Sequence, residues 1–428
     1  MGTSYELYNI HMKTILPRTL KGFRDFLPED MKKRNYVSKK VVEIFQRYGF
    51  EPLETPTLEY ASLLLGKYGD EADKLVYSFK DRGDRELALR YDQTVPTARV
   101  LAQYQNVLPK YFRRYQIQNV FRADKPQKGR YREFTQCDID IFNSTSPLAD
   151  AEILAATYFA YKNVGYKEVV LQINHRAILF AMLEPYATSQ VGVMSLIQSI
   201  DKLDKIGKGG VSDELQRKGL DKVQADTIVE RIENTPNSNE NLLSIIQYAV
   251  DLGIPKSALK FTPHLARGLD YYTVMIFEVS LPGYTVGSCG GGGRYDKLIE
   301  QLGGVSIPAV GIAFGFDRMV EAADFFDIFP DELLSQTILM TIFDESTCKA
   351  SLNLASTLRM KGINIEVYPD LHKLEKQLKF ANSKSFMYVI ILGPEEIQHN
   401  KLKLKNMQTG EQTELTTEDL ILQLKNAH

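Results

Sequence analysis

Three cysteines in 428 residues, Cys137, Cys289 and Cys348, are too few and too far apart for a disulfide framework, and none stand at the short paired spacing of a zinc cluster. So little cysteine fits a reducing compartment, and a cytoplasmic location is expected. The chain has no run of about 18 apolar residues and no charged-then-apolar leader, so neither a membrane span nor a secretory signal is expected. It also lacks a strong net charge: 52 Lys and Arg against 54 Asp and Glu give −2. That excludes a protein basic throughout that coats nucleic acid, but a local basic groove on a near-neutral body could still bind RNA. Internal repeats and low-complexity tracts are absent. The six histidines are scattered, no Ser-His-Asp or Cys-His arrangement stands out, and each histidine is best read as a surface or packing residue.

What remains is an ordinary globular composition, 44% hydrophobic and 25% charged, in a chain long enough for about two to four domains. The first twelve residues, MGTSYELYNIHM, are polar and patternless and are expected to be an expression leader ahead of a start near Lys13. From Lys32 to Tyr48 apolar residues recur at helical spacing, and Gly49 stands where a helix-ending glycine belongs. The next stretch, FEPLETPTLEY, carries Pro52 and Pro56 and suits an edge strand or an interface. Further strand-like pieces are LVYSF, ELALR, EVVLQIN, TVMIFEVSL and AVGIAF. Successive strands lack a regular intervening helix, so the spacing predicts an α+β body, a mostly antiparallel sheet flanked by helices, over residues 13–330. Within it, about 178–262 turns helical and polar and reads as an inserted subdomain, with IGKGG and TPNSNEN as loops. Past Gln336, strands and helices alternate, which predicts a small α/β domain with a partly parallel sheet over residues 337–428.

The densest chemistry lies in FRADKPQKGRYREFTQ, from Phe121 to Gln136. Arg122, Lys125, Lys128, Arg130 and Arg132 crowd around Pro126 and Gly129 between two strand-like runs, YFRRYQIQNVF and CDIDIF. This is a basic hairpin loop, and arginine offers a planar fork of donors that matches phosphate oxygens. A solvated charged turn is the plain alternative. Downstream, LARGLDYYTVMIFE sets Arg267 and Asp270 beside Tyr271 and Tyr272 at the mouth of a strand, the makings of a small-ligand pocket or of surface packing. Next comes GSCGGGGRYDKL, a glycine run that lacks both the Lys-Ser/Thr ending of a phosphate loop and the spacing of a dinucleotide fingerprint; alone it reads equally as an unusual turn. In AVGIAFGFDRM, Gly311 and Gly315 occupy a strand-to-helix passage and Arg318 the first helical turn, where amides and a guanidinium could meet phosphate.

Phe121 to Gln136, Leu265 to Glu278, Gly290 to Asp296 and Gly311 to Arg318 together resemble the motif set of class II aminoacyl-tRNA synthetases, and within them the histidyl-tRNA synthetase family. RGLDYY and PQKGRYREF occur together in family order, and PRTLKGFRDFLP resembles the family's amino-terminal opening. The resemblance runs from about Pro17 to the end and implies a catalytic domain with a helical insertion and a carboxy-terminal anticodon-binding domain. It implies that ATP and magnesium activate L-histidine and that the histidyl group passes to the 3′ end of tRNA(His), in a homodimer whose first class motif spans Tyr48 to Glu59.

The resemblance also assigns residues. Arg122 and Arg267 would act at the α-phosphate, Arg267 also meeting the substrate carboxylate; Asp124, Arg130, Phe134 and Arg318 would complete the ATP site, with Phe134 on adenine. Asp92, Thr94 and Gln136 would hold the α-amino group, and Asp140, Tyr271, Tyr272 and Tyr295 would line the imidazole pocket. No metal ligand is assigned. Two departures stand out: Asp124 where the class usually has Glu, and the apolar Val274 and Met275 where the family commonly has a small or polar pair. The rival reading is a non-catalytic histidine-sensing paralogue, such as the regulatory subunit of ATP phosphoribosyltransferase; those paralogues tend to lose parts of the ATP and pocket motifs and the terminal domain. An amidotransferase or ligase for small molecules on the same fold is a third. Lys373, Lys376 and Lys379 fall on one helical stretch of the terminal domain, as an RNA contact or as a solvated face, and no base-reading residue is assigned.

Overall fold

The computed structural model describes residues 17–66, 73–126, 131–267, 271–303, 306–331, 333 and 338–426. They fall into two units, the first ending at Ile328 and the second starting at Phe329. The strands of the first are β1 (Glu51–Pro52), β2 (Leu58–Tyr60), β3 (Ser78–Lys80), β4 (Glu86–Leu89), β5 (Arg113–Phe121), β6 (Glu133–Phe142), β7 (Val170–His175), β8 (Leu259–Phe261), β9 (Met275–Ser280), β10 (Gly290–Arg294) and β11 (Ala309–Phe314). Eight form one sheet in the order β1-β5-β6-β11-β10-β9-β7-β8, while β2, β4 and β3 form a small sheet. Only the outer pairs, β1 with β5 and β7 with β8, are parallel; those between are antiparallel, as the missing crossover helices require. Pro52 sits in the edge strand, where a missing N–H does least harm.

Strand period sets the two faces. In β6, Cys137, Ile139 and Ile141 alternate with Gln136, Asp138 and Asp140, so one face is apolar and the other charged. Register carries the alternation across the sheet: Ile117, Cys137, Phe314 and Val279 lie in one set of pairs, and Arg114, Asp140, Gly311 and Gly293 in the other. Helices Pro28–Arg47 and Pro147–Val164 cover the apolar face, with the rings of Phe45 and Tyr161 5.3 and 5.7 Å from that of Phe314. The first helix opens on a proline with Glu29 and Asp30 in its first turn and buries Val37, Val41, Ile44 and Phe45. It closes at Gly49, whose φ of 73° lets Phe50 N–H bond back to Phe45 O at 2.9 Å.

Between β7 and β8 runs the helical insertion: Arg176–Leu183, Val193–Ile200, Leu203–Arg217, Lys222–Glu233 and Glu240–Asp251. The IGKGG stretch, expected as a loop, is helical except at Gly207 (φ 67°, ψ 175°). One glycine absorbs the whole bend and the helix resumes beyond it, so composition there marks a kink instead of a linker. The insertion's core, with Leu196, Ile200, Val211 and Leu215, is continuous with Leu265, Ala266, Tyr272 and Tyr295 beside the charged face.

The second unit holds β12 (Ile338–Met340), β13 (Ile365–Val367), β14 (Tyr388–Ile391), β15 (Leu402–Asn406) and β16 (Gln412–Leu415) in the order β13-β12-β14-β15-β16, parallel over the first three and antiparallel after. Helix Glu345–Met360 starts on a capping box in which Asp344 accepts from Thr347 N–H. Lys379 pairs with Glu375 at 2.7 Å, both three-quarters exposed.

Candidate active site

The charged face of the main sheet is a candidate site because its floor lacks side chains at Gly291, Gly293 and Gly311. GSCGGGGRYDKL, which could have been an unusual turn, contains the central strand β10, buried between β9 and β11. A Cβ at Gly291 would lie 1.7 Å from Arg267 Nη1, and one at Gly311 1.9 Å from Asp140 Oδ1. The glycines therefore surrender their side-chain space to a guanidinium and a carboxylate. In β10 and β11, Gly291 pairs with Ala313 and Gly293 with Gly311, so the two vacated positions are diagonal neighbours, roughly 7 Å apart.

Asp140 stands directly across the ladder from Arg114, whose Nη2 is 2.7 Å from its Oδ2 and 3.6 Å from Asp138 Oδ2. Tyr295 donates a short hydrogen bond to Asp140. Burial pushes the Asp140 carboxyl up, against Arg114 and the Tyr295 hydroxyl, which pull it down. Asp138 is pushed up to about 7 by burial, again opposed by Arg114. The tyrosine hydroxyl is raised well above its usual range, by burial and then by Asp140, so it stays a donor. Removing one member of such a buried cluster leaves an uncompensated charge, at about 3–5 kcal/mol. Gln136 Nε2 donates to Asp138 at 2.7 Å, and Gln93 Nε2 donates to the Gln136 carbonyl at 2.9 Å, which ties β6 to the start of helix Thr94–Gln103. There Asp92 accepts from Val95 N–H at 3.1 Å, and Thr94 is the first helical residue. Tyr271 closes over the other wall, its ring 4.7 Å from Tyr272 and 5.9 Å from Tyr295.

Arg267, Arg122 and Arg318 supply the cations. Arg267 donates to Glu278 at 2.8 Å, and Glu278 belongs to the charged face through its pairing with Gly291. Arg122 donates from Nε to the Tyr91 carbonyl at 3.1 Å, and its guanidinium lies 4.4 Å from the Tyr91 ring and 5.2 Å from the Phe134 ring. Asp124 offers its carbonyl to Arg132 at 3.0 Å, holding the two arms of the basic hairpin together. Arg318, in the first turn of helix Phe316–Phe325, donates to the Ser288 carbonyl at 2.6 Å. Arg130 lies outside the described residues, as do Lys128, Gly129 and Asp270.

Sequence reasoning missed Arg114 and Asp138. Their signal was present: RRYQIQ places charged and polar groups at alternate positions facing CDIDIF, and a charge inside a strand that pairs with another strand's acids is an anchored ion. It also missed Glu278, the partner of Arg267.

A family model described as histidyl-tRNA synthetase matches residues 22–319, and one described as an anticodon binding domain matches residues 337–427. The chain is 38% identical over 450 residues to a histidine–tRNA ligase of Cytophaga hutchinsonii, covering 95% of this chain and 99% of that one. Among solved structures, a histidyl-tRNA synthetase from Nostoc sp. PCC 7120 superposes with a TM-score of 0.84 at 28% identity, over 97% of this chain and 100% of the other. A protein described as an ATP phosphoribosyltransferase regulatory subunit/histidyl-tRNA synthetase from Bacillus halodurans has a TM-score of 0.73 at 21% identity, over 86% and 97% of the two chains, a likeness of fold alone.

Proposed function

The chain belongs to the histidyl-tRNA synthetase family, and on that premise we propose how its residues perform the reaction of a histidine–tRNA ligase. In the first step a carboxylate oxygen of L-histidine attacks the α-phosphorus of ATP, the bond to the bridging oxygen breaks, and pyrophosphate leaves in line. A hydroxyl at the 3′ end of tRNA(His) then attacks the histidyl carbonyl, and AMP leaves. No protein nucleophile is needed; positioning and charge stabilisation carry the chemistry.

The observation that supports the assignment best is the pair of vacated glycine positions, which sets an acid and a guanidinium side by side in one pocket. Asp140, anchored by Arg114 and Tyr295, would accept a hydrogen bond from the imidazole, and Tyr271 and Tyr272 would close over the ring. A side chain without that N–H would leave an acceptor position of the buried Asp140 carboxylate unfilled beyond its contacts to Arg114 and Tyr295, and a site built to hydrogen-bond its substrate rejects an analogue that cannot. Asp92, Thr94 and Gln136 would hold the α-amino group. Arg267 would meet the carboxylate and the α-phosphate together, lowering the charge repulsion between nucleophile and target, while Arg122 takes the same phosphate from the opposite hairpin. Phe134 would stack on adenine, Asp124 and Arg130 would support the nucleotide, and Arg318 would take its far end.

Magnesium would arrive with the nucleotide phosphates, and Glu278, which pairs with Arg267 on the charged face, is the carboxylate that could meet it. When bound it would neutralise phosphate charge. Homodimerisation is supported by Leu58 and Tyr60, 42% and 60% exposed on β2 beside Pro56. A cytoplasmic location is supported by the free thiols of Cys137, Cys289 and Cys348. The second unit, matched by an anticodon-binding model, would engage tRNA(His), and a chain that carries both this domain and the arginines Arg122, Arg267 and Arg318 favours the ligase over a histidine sensor. Histidine-dependent exchange of labelled pyrophosphate into ATP is the test: exchange with histidine alone among the amino acids is expected, and none with histidine overturns the reading.

A further inference from the structure

Arg267 stands at a φ of 55°, a left-handed setting that residues with a Cβ avoid. Two anchors hold the loop that carries it. From the main sheet, the fully buried Asn174 donates from Nδ2 to the carbonyls of Pro263 and Leu265 at 2.9 and 2.8 Å. From the helical insertion, Asp201, which ends helix Val193–Ile200, accepts the backbone N–H of Arg267 on Oδ1 at 3.1 Å. Asp204, one turn on, lies 3.1 Å from His264 Nε2. Leu265 and Ala266 are buried in the core that the insertion shares with the pocket, and the next residue turns at its left-handed φ with its guanidinium over Gly291.

We infer that Asp201 is a positioning residue for the activation step: its carboxylate holds the left-handed backbone at Arg267 and so fixes the guanidinium over Gly291. The insertion is thereby coupled to the chemistry, because a shift of the Asp201–Asp204 junction moves the residue that bridges carboxylate and phosphate. This rests on the role proposed for Arg267. A hydrogen bond to a charged acceptor is among the stronger single contacts, and a displaced cation loses stabilisation chiefly in the transition state.

The test is histidine-dependent pyrophosphate exchange by full-length Asp201→Ala and Asp201→Asn beside the wild type. Asp201→Ala removes the acceptor and should lower kcat by about tenfold or more, with KM for histidine changed by less than about threefold. Asp201→Asn keeps an oxygen at the same place and should restore kcat to within about twofold of wild type. If the alanine variant does not fold, Asp201→Ser, whose hydroxyl stops short of the amide, is read in its place with the same expected loss. Wild-type kcat in the alanine or serine variant, or equal losses in Asn and Ala, overturns the inference and leaves the functional reading standing. No exchange by the wild type overturns both.

Discussion

The two large sheets of this protein use their faces differently. In the second unit both faces are apolar: Ile338, Met340, Ile390 and Leu404 lie in one cluster, and Leu339, Val389 and Ile391 in the other. In the first unit one face is apolar, while the other buries Arg114, Asp138 and Asp140 over a floor of glycine. A buried ion contributes little net stability even when paired, whereas a buried aliphatic side chain contributes about 1.5–3 kcal/mol. The first sheet therefore gives up stabilising surface on one side to hold fixed charges where water is excluded, and there a charge acts at its strongest. The second sheet keeps both sides for stability and leaves its lysines in solvent.

Four substitutions would break or sharpen that contrast. Arg267→Ala should reduce histidine-dependent pyrophosphate exchange by about 1,000-fold or more, with a smaller loss of stability than a core truncation, because the Glu278 carboxylate it leaves behind is 26% exposed and can be solvated. Gly291→Ala should lose about 100-fold, because its Cβ would fall 1.7 Å from Arg267 Nη1; Gly192→Ala, with no atom within 4 Å, should stay within about twofold in the same assay. Ile390→Ala, in the second sheet, should do the reverse: about 2–5 kcal/mol of destabilisation by urea titration, with exchange within about twofold.

The smallest effect is on pH dependence. Because burial holds Asp138 up to about 7, the folded chain keeps a proton that the unfolded chain releases near pH 4, so stability of the first unit falls as pH rises from about 4 to about 7. Glu396 in the second unit is lowered by its hydrogen bond to Lys403, so its contribution is present above the ordinary glutamate range and is lost as pH falls through its lowered value. Asp138→Asn should flatten the falling limb of the first unit between pH 4 and 7 and leave the second unit's acid limb unchanged; urea midpoints at pH 5 and pH 8 decide it.

Much of this was legible without coordinates. YFRRYQIQNVF and CDIDIF read as the two strands of a hairpin, the sparse helices between strands foretold an antiparallel sheet, and the alternation past Gln336 foretold a partly parallel second sheet. The glycine run was opaque, because a strand is normally recognised by the side chains that face its neighbours, and β10 is defined by side chains that come from elsewhere. Gly207 misled for a related reason: glycine content reports permitted conformations, and the neighbours choose among them. The Asp201 contact joins residues 66 apart with no shared motif.

The sequence by itself determined the order of helices and strands in each unit and the family to which the chain belongs, because periodicity, turn residues and motif order are written along one dimension. Only the tertiary structure decided which charges meet. Asp140 fills the space of Gly311, Arg267 that of Gly291, and Asp201 holds Arg267 from a separate helical layer. Such pairings depend on strand register and on volume left empty by a missing Cβ, and those quantities exist only once distant segments have been brought into contact.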